Sequence, residues 1–162
     1  MRHSTRFAVA AGILWLPSVV LTAQLLVREQ APTDRAADVP AAEIESIIRD
    51  MAAESRATTR LLEGGSFNIN IRRLEAPEAA LTHPNTTDVY VVREGSGTLV
   101  TGGQVLDNEG RPFDGPRGAA IRGGTERVVS AGDLVFIPAG VPHRFRETDG
   151  ITWFNIRFDT HR

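Results

Sequence analysis

Two histidines, one aspartate and one tyrosine carry most of the chemistry that this sequence offers. His143 closes the stretch GDLVFIPAGVPH at 132–143, and His83 opens HPNTTDVYVVREGSG at 83–97, which also holds Asp88 and Tyr90. Imidazole and carboxylate groups are metal ligands and proton carriers, and a tyrosine can act as an acid, a base or an orienting donor. In an extended strand Asp88, Tyr90 and Val92 share one face, and His143 shares its own with Phe145, opposite Arg144 and Arg146. His3 and His161 lie at the two ends of the chain and are set aside. Each of the others has a plainer reading. His143 on an apolar strand also reads as a hydrogen-bonded core residue, His83 before Pro84 as a polar loop residue, and Asp88 after two threonines as a turn acceptor. Cysteine is absent, which excludes disulfides, zinc ribbons and thiol catalysis.

The spacing in 132–143 is Gly, five residues, Pro-x-Gly, two residues, His. This matches the second signature of the cupin family, in which the His is a metal ligand inside a small β-barrel. Residues 81–95 resemble the first cupin signature, H-x-H, three or four residues, E, six residues, G. Counting back from Gly95 puts Asp88 at the carboxylate, His83 at the second His and Leu81 at the first. The sequence departs from the family pattern at Leu81, at Asp88 (a shorter acid than Glu) and at Glu147, where the family usually has Asn. The resemblance implies a metal held by His83, Asp88 and His143, with Tyr90 as an acid/base or orienting group. Two imidazoles and one carboxylate leave coordination positions open and suit divalent Fe, Mn, Ni or Zn, among which the sequence does not choose. Asn85 is a weaker oxygen ligand candidate.

Those residues need a β framework, and the texture from 66 onward supplies one. Alternation at 67–71 predicts a strand with one buried and one wet face, followed by strands at 87–93, 98–101, 119–122, 127–129, 134–137, 141–147 and 151–158. Turn signals separate them, among them Glu94 with Gly95, Gly132 with Asp133, and Asp149 with Gly150. In the last strand Trp153, Asn155 and Arg157 share a face that fits either a pocket for an acidic or hydroxylated ligand or an outer surface. Residues 107–118, rich in Gly, Pro and charge, read as a surface loop or lid. Before the strands, Ile44, Ile47, Ile48 and Met51 form the stripe of an amphipathic helix, with Asp38 as N-cap and Pro40 just inside.

Residues 1–23 read as a secretory signal: Arg2, His3 and Arg6, then an apolar run from 7 to 21, then Ala23. The apolar run is too short for a comfortable membrane span, so an uncleaved anchor is the rival. Cleavage removes two of the 18 cations and none of the 20 acids, taking the net charge from −2 to −4. Neither value fits a nucleic-acid footprint. All the cations are arginines, which reads as a bias of the source genome.

The expected organisation is a signal at 1–23, a polar linker at 24–39, a helical segment at 40–65 and a mostly β, jelly-roll barrel at 66–162. The expected protein is secreted or periplasmic, free of the membrane after signal removal, and a possible homodimer. The cupin resemblance implies that it acts on a small organic acid or phenolic molecule by oxygenase, isomerase or lyase chemistry. The alternative is a non-catalytic barrel that binds a small ligand, with or without metal; a purely structural domain leaves an inward His143 unexplained. No P-loop, nucleophile elbow or H-E-x-x-H motif is present.

Overall fold

The computed structural model describes residues 27–160; the signal at 1–23 and His161 lie outside them. Helix α1 spans Ala41–Ala53. Its N-cap is Pro40 rather than Asp38, because Pro40 is extended (ψ 147°), and no side chain caps the helix. The helix is shorter than the expected 40–65 segment. Ser55 takes a left-handed turn (φ 52°), and the β-branched pair Thr58 and Thr59 then enters a strand. Part of the expected linker is also a strand: β1 (Val27–Gln30) pairs in parallel with β2 (Thr58–Glu63).

The remaining strands are β3 (Phe67–Leu74), β4 (Ala80–Leu81), β5 (Thr86–Thr101), β6 (Gln104–Leu106), β7 (Arg117–Gly118), β8 (Ala120–Arg122), β9 (Thr125–Ser130), β10 (Leu134–Ile137) and β11 (His143–Asp159); β6 and β8 form a separate two-stranded sheet, and the others continue the main one. The fold is a jelly roll built on two long antiparallel strands, β5 and β11, paired along nearly their whole length. The first half of β5 takes β10 on its other edge, and the second half takes β9. β11 takes β3 and β4. Both long strands bend at the same place, where the register shifts around Asp149 and Gly150. Gly95 lies opposite at φ 67°, and a Cβ there would stand 2.4 Å from the Asp149 carbonyl oxygen. Glu94 with Gly95 therefore lies inside one long strand, and Asp149 with Gly150 at a register shift inside the other, not at the turns expected. The 107–118 segment is not wholly irregular, since it ends in β7 and Leu106 bridges to Pro112.

Two apolar clusters hold these layers. On the outer face Ile44, Ile48 and Met51 of α1 pack on Leu61 and Ile71, with Ile69 and Phe154 beside them. Inside the roll Tyr90, Val92, Leu99, Val129, Val135, Ile137, Phe145, Ile151 and Trp153 are all buried. The alternating strand β3 is thus covered on both sides. Its apolar face lies under α1, and Asn68, Asn70 and Arg72 face inward, opposite Arg157, Asn155 and Trp153. The face expected to be wet is the polar inner wall beside the site.

Candidate metal centre

The register of the long strands places the site. Asp88 on β5 lies directly across from Arg157 on β11, and one step deeper Tyr90 lies across from Asn155. His143 begins β11, turned inward with Phe145 as the alternation requires, and both are buried. His83 comes from the loop between β4 and β5, which is pinned where the Gly140 amide donates to the His83 carbonyl at 2.8 Å. The two sequence signatures also pair directly, with Leu134–Ile137 running antiparallel to Asp88–Val91 and His143 opposite Leu81.

The three side chains converge. Asp88 Oδ2 lies 3.8 Å from His83 Nε2 and 3.9 Å from His143 Nε2, and the three donor atoms all lie within 4.8 Å of one another. His143 Nδ1 is 2.9 Å from the Val141 carbonyl oxygen, so Nδ1 carries the proton and Nε2 presents its lone pair to the site. Both His143 Nε2 and Asp88 Oδ2 are buried without a hydrogen-bond partner. A buried carboxylate oxygen and a buried imidazole lone pair facing each other are unfavourable unless a cation or proton lies between them. Two donors each about 2.1 Å from one ion are at most about 4.2 Å apart, so the Asp88 distances fit a shared ion. The residues present fit a divalent metal.

Leu81, at the position of the family's first His, is the direct cross-strand partner of His143. An apolar side chain occupies that place, which leaves His83, Asp88 and His143 as the group that could hold a metal. Glu147 points away, 67 % exposed, and accepts from Thr98. Asn85 is exposed and is not brought to the centre.

Electrostatics favour the ligand form of His83. Burial, and then the Arg157 guanidinium, lower its pKa from 6.5 to about 4. Folded His83 thus binds a proton less readily than unfolded His83. Between about 6.5 and 4 the unfolded chain carries more protons, so the stability present above 6.5 falls as pH drops toward 4. Urea midpoints of the metal-free protein from pH 7.5 to 4.5 should show that loss, and His83→Gln should show less of it; equal slopes would contradict the assignment. Tyr90 is pushed well above its usual value, first by burial and then by the Asp88 and Glu78 carboxylates. It is a neutral phenol at physiological pH, with its ring 6.3 Å from that of His143.

Trp153 and Asn155 point inward and are buried, and Arg157 joins the centre through Asp88. Arg72 and Glu78 went unrecognised in the sequence. They form an ion pair at 2.8 Å, with the Arg72 guanidinium 5.4 Å over the Trp153 ring. The signal for Arg72 was its shared face with Asn68 and Asn70; nothing local marked Glu78.

No protein-family model matches the sequence, and no curated protein sequence does either. Solved structures do match. Hydroquinone 1,2-dioxygenase from Sphingomonas sp. TTNP3, solved with 4-hydroxybenzoate bound, superposes with a TM-score of 0.51 at 13% identity, over 86% of this chain and 89% of that one. A Bacillus halodurans protein matches with a TM-score of 0.50 at 16% identity, over 82% of this chain and 86% of its own. A cupin-2 domain containing protein from Shewanella frigidimarina matches at 0.42 and 20% identity, over 63% of this chain and 78% of its own. With its two bent strands, its inward ligand set and neighbours of the same architecture, this chain has the cupin jelly-roll fold.

Proposed function

We propose that this chain is a mononuclear divalent-metal cupin acting on a small organic acid or phenolic molecule, in a reaction of the oxygenase, isomerase or lyase type. The observation that carries the reading is the pair of orphaned donors, His143 Nε2 and Asp88 Oδ2, buried beside His83. A divalent ion held there supplies Lewis acidity, and a redox-active one supplies electron transfer as well. The rest of the wall suits an oxygen-rich ligand. Asn155 Oδ1 is a buried acceptor without a partner, matched to a ligand hydroxyl. Arg157 brings a cation for a carboxylate or phenolate. Tyr90, held protonated by its burial, donates or orients and does not act as a base. The Sphingomonas neighbour holds a phenolic acid, which is the same chemical class.

Reconstitution with Fe(II), Mn(II), Ni(II) and Zn(II) in turn should load about one ion per chain with at least one of them, read by elemental analysis after gel filtration. No uptake of any of the four would remove the enzyme reading. The competing reading, a barrel that only binds a ligand, draws on Leu81 in the fourth ligand place. Bound metal without turnover of any hydroxylated aromatic acid would favour it.

Export and pairing of two chains belong to the same proposal. The basic, apolar and small-residue pattern of 1–23 supports export, and the mature chain should begin at or near Gln24. Intact mass of protein from the native host checks this; a full-length species in the membrane fraction would mean an anchor. Among the described residues no helix is long and apolar enough to cross a membrane.

A further inference from the structure

Arg157 uses two of its donors inside the ligand set. Its Nε donates to Asp88 Oδ1 at 2.7 Å, and its Nη2 stands 3.0 Å from His83 Nε2. A guanidinium has donors only, so His83 Nε2 must be the acceptor in that contact, through its single ring lone pair. A metal needs the same lone pair, and it cannot serve both. Asp88 is under no such conflict: Oδ2 is buried without a partner, so it can ligate while Oδ1 keeps Arg157.

We propose that Arg157 is a two-state, specificity-determining residue. Without metal it caps His83. With metal it keeps Asp88 Oδ1, and its released Nη2 edge binds the carboxylate of a ligand beside the ion. This rests on the metal reading above and adds a reason for the site to select anionic ligands. The retained Nε contact orients the ligating carboxylate, as partners of metal ligands commonly do. The released edge keeps the planar donor geometry that matches a carboxylate. Exposure is divided in the same way: the Arg157 side chain is 22% exposed and that of Asp88 only 1%, so the arginine is the member of the pair that meets a ligand from solution.

The consequence is linkage. Metal binding alone has to break the contact between Arg157 and His83, and an anion that takes up the freed edge offsets that loss. Metal and carboxylate must then tighten each other's binding by the same factor.

Calorimetric titration of the full chain with Co(II), alone and with saturating benzoate, tests this; benzyl alcohol is the uncharged control. In the wild type, benzoate should tighten Co(II) by about 5-fold or more, within the usual range of such couplings, and benzyl alcohol should not. Arg157→Met frees His83 but also strips Asp88 Oδ1 of its partner, so the deciding readout is the benzoate effect on Co(II) affinity, which should be lost. Arg157→Lys keeps a cation and should keep part of the benzoate effect; it carries the comparison if the Met variant melts too early. A benzoate effect that survives in folded Arg157→Met overturns the proposal. Co(II) binding that is tight but independent of benzoate in the wild type overturns only the role of Arg157. Failure of the wild type and both variants to bind Co(II) overturns the metal reading and this inference together.

Discussion

Changing His143 to Gln should lower the affinity for a divalent ion by more than about 100-fold while leaving the jelly roll folded. Losing a partner that merely orients a metal ligand already costs about 10–100-fold, and in the proposed site His143 is one of three direct donors. Its position makes this a clean comparison. The ring is 1% exposed, its Nδ1 is committed to the Val141 carbonyl, and its Nε2 meets only the site. A purely structural core histidine behaves differently: its loss lowers stability by about 1–3 kcal/mol through an unsatisfied partner and leaves metal uptake alone. Titration with metal and thermal melting of the same variant separate the two. Asp88→Asn, which keeps an acceptor for Arg157 but removes the charge, should lose metal in parallel. A lower melting temperature with unchanged metal affinity would sink the assignment.

The site was legible in the sequence because its signals are local. The Gly132 and Asp133 turn, the Pro138 to Gly140 turn and the strand after it fix which way His143 faces within twelve residues, and Gly132 does take a left-handed conformation at φ 97°. Asp88 and Tyr90 follow from alternation on one strand in the same way. Arg157 was legible only as a member of a face. Its partner Asp88 is 69 residues away, and the contact depends on the register of β11 against β5, which no single segment encodes.

The fold's misread parts share one cause. Gly95 and Gly150 carry positive φ, which serves a chain reversal and a bulge equally well. Deciding between them requires knowing that β5 and β11 run on together beyond the bend. The short strand β1 is likewise defined by a parallel partner 33 residues on, with no local mark of its own. On β3, alternation correctly separated two faces, but water was assigned to the polar one. In a jelly roll whose apolar face is claimed by a helix, the polar face turns toward the interior of the roll. Asn70 shows it: it is 2% exposed and donates to the Asn155 carbonyl.

Replacing Trp153 by Ala should destabilise the fold by about 3–5 kcal/mol, the range for removing a buried large aromatic side chain. Trp153 is 1% exposed, with ring centroids of Phe145 at 5.0 Å and Tyr90 at 5.3 Å and the Arg72 guanidinium on one face. These neighbours belong to rigid paired strands, so the cavity cannot collapse freely, which places the loss toward the upper end. Trp153→Phe should cost much less than the Ala change. It leaves a smaller void, and it also removes the indole N–H, which is buried without a partner and so gives nothing back for its desolvation. Metal affinity should stay within a few-fold of the wild type in Trp153→Phe, since Trp153 lies two rows below Arg157 and Asp88 in the register. Urea unfolding followed by circular dichroism reads the stabilities, and a metal titration reads the site. Equal losses for the Ala and Phe variants would mean that an unseen partner of the indole N–H, rather than packing, holds Trp153 in place.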